Sequence, residues 1–410
     1  MDSNPSNPGQ QRRSLSEEQI EEFLRDGVLT VDNVLSSEQV AIAREGLQLT
    51  LRGRGIDTDF ILQSIDEMQS SDILDQLRQQ TEAFARLSST NGSGGVLDLF
   101  YEDWKLDMAT NADLFHMTTQ LWKAAYCHEG ETKELLQSQH KDELMFRWHP
   151  YGPFDCETGY LYMDRIGYRL PTSVSEGLGA FLHSTSSRDV VGKKKKKAMA
   201  LQRSLTPHLD CCPEGLYHKD SNKWRPIQCM ISLTDSLQPN MGGFEAARGF
   251  HRKFDKWAHE RVLPVPGSND ERDKAPSLCV GEYTHIRPKE DRYVMDQVSH
   301  VPVAAGSAVF WDNRIPHANS YRHDGETPRA VVYCSFLPNV PLNQVYIKTQ
   351  LQDFLQRRPP TGSDQWRGSQ LENSNSLGDG VSDIGDEDDN NDLSRKFTPL
   401  GRKLMGLDPW

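Results

Sequence analysis

Three His-x-Asp triplets occur in the chain, His140/Asp142, His208/Asp210 and His218/Asp220. On an extended segment, residues two apart point the same way, so such a triplet offers an imidazole and a carboxylate to one point in space. That pair is two-thirds of what a redox-active ferrous ion needs: two histidines and a carboxylate on one face, with three positions left open for cosubstrate and dioxygen. With 13 His and 59 acids in 410 residues, about two H-x-acid triplets arise by chance, so surroundings must choose among them. His140 lies in LLQSQHKDELMF, a polar stretch that reads as helix, where positions two apart do not share a face. His218 falls in GLYHKDSNKW, which reads as a polar loop. His208 lies in SLTPHLDCC, where Pro207 favours an extended neighbour and Leu209 can turn to the opposite, apolar side.

A third ligand is offered by AGSAVFWDNRIPHANSYRHDGETPRAVVYCSF. Gly306 turns into a strand, and His317 follows it at a bend introduced by Pro316. Beyond a short polar loop, Arg329 alternates with Val331, Tyr333 and Ser335 on one face of a strand, opposite Val332, Cys334 and Phe336. If the arginine's face is the interior one, a buried guanidinium without a partner costs several kcal/mol and calls for an anion. A dicarboxylate cosubstrate supplies that anion in bidentate geometry.

These residues need a scaffold, and the sequence reads as helices first and strands after. Residues 1–14 are polar and expected to be disordered. Ser16-Glu-Glu-Gln19 is a capping-box pattern with Leu15 as staple and Ile20, Phe23 and Leu24 as an apolar stripe, which predicts a helix ending near Asp26-Gly27. A short apolar run, Val28 to Val31, precedes a second capping box at Ser36 to Gln39. Residues 110–126 also read as helical. From about residue 158 the apolar period falls to two, over Tyr160 to Tyr168, Ile227 to Thr234, Ala308 to Trp311 and Ala330 to Phe336. Without β-α-β alternation, this order predicts an α+β, mainly β fold in which an antiparallel sheet or barrel is backed by N-terminal helices. The organisation expected is a disordered start (1–14), one domain over 15–356, an acidic disordered linker (357–392), and a terminal segment (393–410). Phe397, Leu400, Leu404, Leu407 and Trp410 equip that segment to dock on the core or on a partner.

The formal charge of -13 is concentrated in the linker: residues 364–392 hold nine acids against Arg367, a net -8, leaving only -5 for the rest. A nucleic-acid partner is therefore not indicated. No run is long and apolar enough to span a bilayer or to act as a secretory leader. The seven scattered cysteines show no disulfide framework, which fits a reducing, cytoplasmic compartment, with Lys193 to Lys197 as an alternative nuclear address. Cys211 and Cys212 read as buried structural cysteines rather than soft metal ligands. Gln228, Met230, Trp104, Lys105, Tyr162, Arg165 and Arg169 are further candidates to reach a pocket.

Taken together, LSEEQIEEFLRDGVLTVDNVLSSEQ, MGGFEAARGFH (Met241 to His251) and the His208/Asp210, His317 and Arg329 positions resemble the phytanoyl-CoA dioxygenase family over roughly residues 15–355. The resemblance implies a double-stranded β-helix, a jelly-roll or cupin-like barrel. It implies Fe(II) on His208, Asp210 and His317, and 2-oxoglutarate held by Arg329 with Asn319 as a second donor. It also implies O2 as oxidant and ascorbate as an auxiliary reductant. The activity implied is hydroxylation of a small organic molecule, lipid-like or a secondary metabolite, with release of succinate and CO2. A filled carboxylate position at Asp210 argues against halide transfer. Arg248 stands where that family has proline, and the chain ends in Asp408-Pro409-Trp410 rather than a peroxisomal signal, so phytanoyl-CoA itself is not implied. Two other readings stay open: a β-barrel that binds metal or ligand without turnover, and a hydroxylase of a protein or nucleic acid that uses Lys193 to Lys197 and the acidic tail to dock.

Overall fold

The computed structural model describes residues 12–64, 71–126, 149–152, 154–185, 200–218, 221–261, 279–280, 283–361 and 397–410. His140/Asp142, Asp220, Lys193 to Lys197 and most of the acidic stretch lie outside the described residues. In helix α1 (Glu17–Asp26) the Ser16 hydroxyl accepts from the Gln19 N–H at 3.3 Å while the Gln19 side chain accepts from the Ser16 N–H at 3.0 Å. Gly27, at φ 68°, ends the helix and feeds β1 (Val28–Val31). The same reciprocal cap at Ser36 and Gln39 opens α2 (Ser37–Gly53). Then come α3 (Thr58–Ser64), α4 (Ser71–Leu87), β2 (Val96–Leu97), α5 (Asp103–Ala109) and α6 (Ala112–Ala125).

The second half supplies β3 (Gly159–Leu161), β4 (Ile166–Arg169), β5 (His208–Leu209), β6 (Ile227–Ser232), β7 (Phe244–Ala247), β8 (Cys279–Val280), β9 (Tyr283–His285), β10 (Val298–His300), β11 (Ala308–Asp312), β12 (His317–Asn319), β13 (Arg329–Tyr333) and β14 (Phe336–Pro338). They form a six-stranded sheet I, in the order β1-β11-β6-β13-β4-β2, a six-stranded sheet II, β10-β7-β12-β5-β9-β8, and a small pair, β14-β3. Neighbours run antiparallel, as in β11 against β6 and β12 against β5. From β4 to β7, and again from β10 to β13, each successive strand crosses to the other sheet.

The alternation of side chains along sheet I shows how the layers stack. Leu29, Val31, Cys229, Ile231, Phe310, Ala330 and Val332 pack with helical residues such as Phe23, Leu47, Phe115 and Trp122. Their neighbours Val28, Met230, Val309, Trp311 and Val331 pack instead with Leu209, Phe244 and Ala246 of sheet II. Sheet I therefore lies between a helical layer and sheet II. Each fully buried Leu, Val or Phe of these two cores contributes on the order of 1.5–3 kcal/mol of transfer free energy.

Several expectations are corrected. The fold is a mixed α/β one with antiparallel sheets; among the described residues these do not close into a barrel, and they leave edge strands, β1 and β2 on sheet I and β8 and β10 on sheet II. A helix at Thr172–Thr185, another at Phe254–Arg261, and β8 to β10 form where the sequence shows no clear period. His218 ends a short helix, Pro213–His218, rather than lying in a loop. Cys212 is disulfide-bonded to Cys279 at a Cα–Cα distance of 5.5 Å, whereas Cys211 is buried and takes no part in that bond. No spacing rule could reveal a bond between cysteines 67 residues apart in an odd set. Past residue 356, the Thr361 N–H donates to Asp353 at 2.7 Å. Residues 397–410 lie back on the core: Leu404 and Met405 are buried, and the Trp410 indole donates to the Gly159 carbonyl at 2.7 Å. No helix among the described residues is long and apolar enough to cross a membrane.

Candidate metal centre and its surroundings

Pairing of β5 with β12 sets His208 opposite His317, which brings together two residues far apart in the chain. Strand β12 is three residues long, and its register is held from its other side by β7, with His317 opposite Ala246. The bend before it is held by a buried network. Asp312 accepts from the Arg314 guanidinium at 2.8 and 2.7 Å, and the Tyr126 hydroxyl donates to Asp312 at 2.5 Å. Sequence reasoning missed this network; the signal was an acid and an arginine two apart inside an apolar run, FWDNRI.

Each imidazole is oriented by the carbonyl two residues before it. Nδ1 of His208 lies 3.0 Å from the Thr206 carbonyl and Nδ1 of His317 lies 2.9 Å from that of Ile315. A carbonyl can only accept, so both rings carry their proton on Nδ1 and turn a lone pair outward on Nε2. His208 stacks on Tyr283 at 4.6 Å between ring centroids, while Trp311 and Phe244 flank His317 at 5.2 and 5.7 Å. Asp210, one residue past β5, places its two oxygens 3.5 Å from the two Nε2 atoms, and the three donor groups all lie within 4.8 Å of one another. Burial lowers the His317 pKa, which favours the neutral, ligating ring. Burial would raise the Asp210 carboxyl; where the neighbouring histidines are protonated, their hydrogen bonds and charge outweigh it and hold it well below the ordinary carboxylate range. Two imidazole lone pairs facing a carboxylate at this distance repel unless a cation or a shared proton lies among them. The set has no thiolate, and nitrogen with carboxylate oxygen is the donor chemistry that suits ferrous iron.

A cavity of about 340 Å³ opens beside the three residues. Its wall includes Tyr162, Arg165 and Gln228 from the sequence-derived candidates, together with Asn319 and Tyr333. Lys105 does not reach it; its ammonium donates to the Phe100 and Asp164 carbonyls in the core. Trp104 donates to Thr50 instead. Met230 sits with its sulfur 3.6 Å from the Arg329 guanidinium. Pro360 and Thr361, just past the expected domain end, also line the cavity.

Arg329 is 2% exposed, on the face of β13 that meets sheet II. Its Nη1 donates to Asn319 Oδ1 at 3.0 Å, its Nε has no hydrogen-bond partner, and burial lowers its pKa. Asn319 Nδ2 donates to the Gly94 carbonyl at 2.9 Å. An arginine cannot accept, so the amide oxygen must face it. The amide thus orients Arg329 and ties it to the loop before β2, and its residue lines the cavity.

The family model described as Gig2-like matches residues 265–388, a stretch that holds His317, Asn319 and Arg329 but not His208 or Asp210. The phytanoyl-CoA dioxygenase model does not match. No curated protein matches the chain in sequence. Among solved structures, GlcNAc Inducible Gene 2, GIG2 (DUF1479), from Candida albicans has a TM-score of 0.59 at 14% identity, covering 97% of this chain and 77% of that one. The hypothetical protein JW0805 from Escherichia coli has a TM-score of 0.54 at 14% identity, covering 96% and 82%. The non-haem alpha ketoglutarate dependent carbocyclase SnoK from nogalamycin biosynthesis lies further off, at a TM-score of 0.38 and 13% identity over 91% and 95%. For the first two the likeness is one of fold alone.

Proposed function

We propose that the chain is an Fe(II) and 2-oxoglutarate-dependent oxygenase that oxidises a small organic molecule, with a double-stranded β-helix of the phytanoyl-CoA dioxygenase type as its scaffold. The observation that carries this reading is the tautomer argument: both Nδ1–H groups point at carbonyls, so two Nε2 lone pairs and the Asp210 carboxylate converge on one point. His208, Asp210 and His317 would hold the metal. When bound, ferrous iron supplies activation of dioxygen coupled to oxidative decarboxylation of 2-oxoglutarate to succinate and CO2.

The protein's own residues would do the rest. Arg329 would grip the far carboxylate of 2-oxoglutarate, with Asn319 holding the guanidinium in place. Trp311 and Phe244, packed around His317, would keep water from the inner side of the site. The alternation of successive strands between the two sheets supports the scaffold reading. The limited cavity favours a small molecule over a macromolecule.

Succinate release from 2-oxoglutarate, measured with and without added Fe(II), tests the proposal. Iron-dependent release that His317→Ala abolishes is the expected outcome. Absence of release across varied substrates, with metal binding intact, would favour a binding module instead.

A further inference from the structure

A second arginine stands beside Arg329. In the β4–β13 ladder Arg169 is its direct cross-strand partner. Ile166 and Tyr168 face the helical layer, so Arg169 lies on the face that meets sheet II, as Arg329 does. Directly opposed side chains start about 4.5–5.5 Å apart at Cβ, and like charges so placed repel. Arg169 is 5% exposed and Arg329 2%. Their described partners are neutral: Arg169 Nη2 donates to the Tyr321 carbonyl at 2.8 Å, and Arg329 donates to Asn319 and the Met230 sulfur. Arg169 Nη1 and Arg329 Nε are buried N–H groups with no hydrogen-bond partner. Burial, with the Arg329 charge, pushes the Arg169 guanidinium down to about 10, against the pull of the Glu245 carboxylate.

The backbone is shaped around this second arginine. Gly95, at φ 69°, would place a Cβ 2.9 Å from that of Arg169, and Gly242, at φ 68°, would place one 3.2 Å from its Cδ. The stem thus threads a gap that two side-chain-free residues leave open. Two opposed guanidiniums kept out of water, each with an N–H left over, are a poor device for stability and a good one for an anion.

We propose that Arg169 and Arg329 form one two-guanidinium receptor for the far carboxylate of a dicarboxylate cosubstrate, with Arg169 making the site select dicarboxylates over 2-oxo monocarboxylates. The inference rests on the 2-oxoglutarate reading above, and its test separates the two. Binding is followed by thermal shift of the full chain, treated with chelator and then loaded with Mn(II) in place of iron, against 2-oxoglutarate and against pyruvate, which lacks the far carboxylate.

In Arg169→Met the half-saturating 2-oxoglutarate concentration should rise about 10- to 100-fold, the loss of one charge-assisted hydrogen-bonding group. Pyruvate binding and Mn(II) binding should not change. Arg169→Lys, which keeps the charge without the fork, should fall between, and it carries the test if the methionine variant does not fold. A merely structural arginine would lower the unliganded melting temperature and leave half-saturation where it was. If Arg169→Met saturates at the wild-type concentration while Arg329→Met does not, the two-arginine receptor is overturned and the single-arginine reading stands. If the wild type takes 2-oxoglutarate no better than pyruvate, both fall.

Discussion

Replacing Arg329 by Met should make the protein more stable and its cosubstrate site useless. The guanidinium is 2% exposed and has one good neutral acceptor, Asn319, with a thioether sulfur at 3.6 Å. Leaving a charge buried without a counter-charge costs about 3–5 kcal/mol. The hydrogen bond to Asn319 returns about 1.5–3 kcal/mol, because one partner is charged. Methionine keeps most of the stem and removes the charge, so the unliganded fold should gain on the order of 1–2 kcal/mol. Addition of 2-oxoglutarate at a hundred times its dissociation constant should stabilise the wild type by about 2.7 kcal/mol and the variant by almost nothing. Urea unfolding with and without 2-oxoglutarate measures both quantities. A variant that loses stability without ligand would mean that the guanidinium is a structural tie, and the case for an anion at this point would collapse.

Three further outcomes follow from the same geometry. His208→Ala and His317→Ala should each abolish Mn(II) or Fe(II) binding, whereas His218→Ala should leave it intact; equilibrium dialysis decides, and an inactive His218 variant would reverse the choice of ligands. Deleting residues 397–410 should cost about 3–6 kcal/mol, the burial of Leu404 and Met405, and should lower the melting temperature without touching metal affinity. His251, mainly through burial, has its pKa lowered to about 4, so the folded state takes up its proton less readily than the unfolded chain. Its contribution is whole above pH 6.5 and is lost as pH falls from 6.5 towards 4, by about 3 kcal/mol at most; unfolding midpoints of wild type and His251→Gln across that range should converge at low pH.

What could be read from the sequence was whatever local physics decides. The caps at Ser16 and Ser36 are legible because a hydroxyl and an amide three residues apart satisfy each other without help from the rest of the fold. The strands containing Ile227, Ala308 and Arg329 are legible because they separate a helical core from a sheet-facing one, which enforces a period of two. The helix Thr172–Thr185 was not, since VSEGLGAF mixes two glycines with an apolar run and its packing decides its state. The disulfide of Cys212 with Cys279 and the opposition of Arg169 to Arg329 depend on strand order, which no single-sequence pattern carries. The tie of the Asn319 amide to the Gly94 carbonyl is hidden for a similar reason, because the two lie 225 residues apart.

The site is assembled across a seam. Its three metal-ligand candidates belong to sheet II, through β5 and β12, while Arg329 and Tyr333 belong to sheet I. The hydrogen bond from Arg329 to Asn319 crosses between them. A dicarboxylate bound at both ends would therefore bridge the sheets as well as react. The same arrangement makes register the sensitive variable, because a slip of one residue in β12 would turn His317 to the opposite face and replace it by Ala318 or Pro316. Four ladder pairs, one to β5 and three to β7, are few to prevent that in so short a strand. The buried Asp312–Arg314–Tyr126 network at the bend before it supplies the missing constraint, by fixing where β12 begins. Its charge pair is fully enclosed, and such pairs contribute little net stability. Its consequence for the molecule lies in the placement of His317.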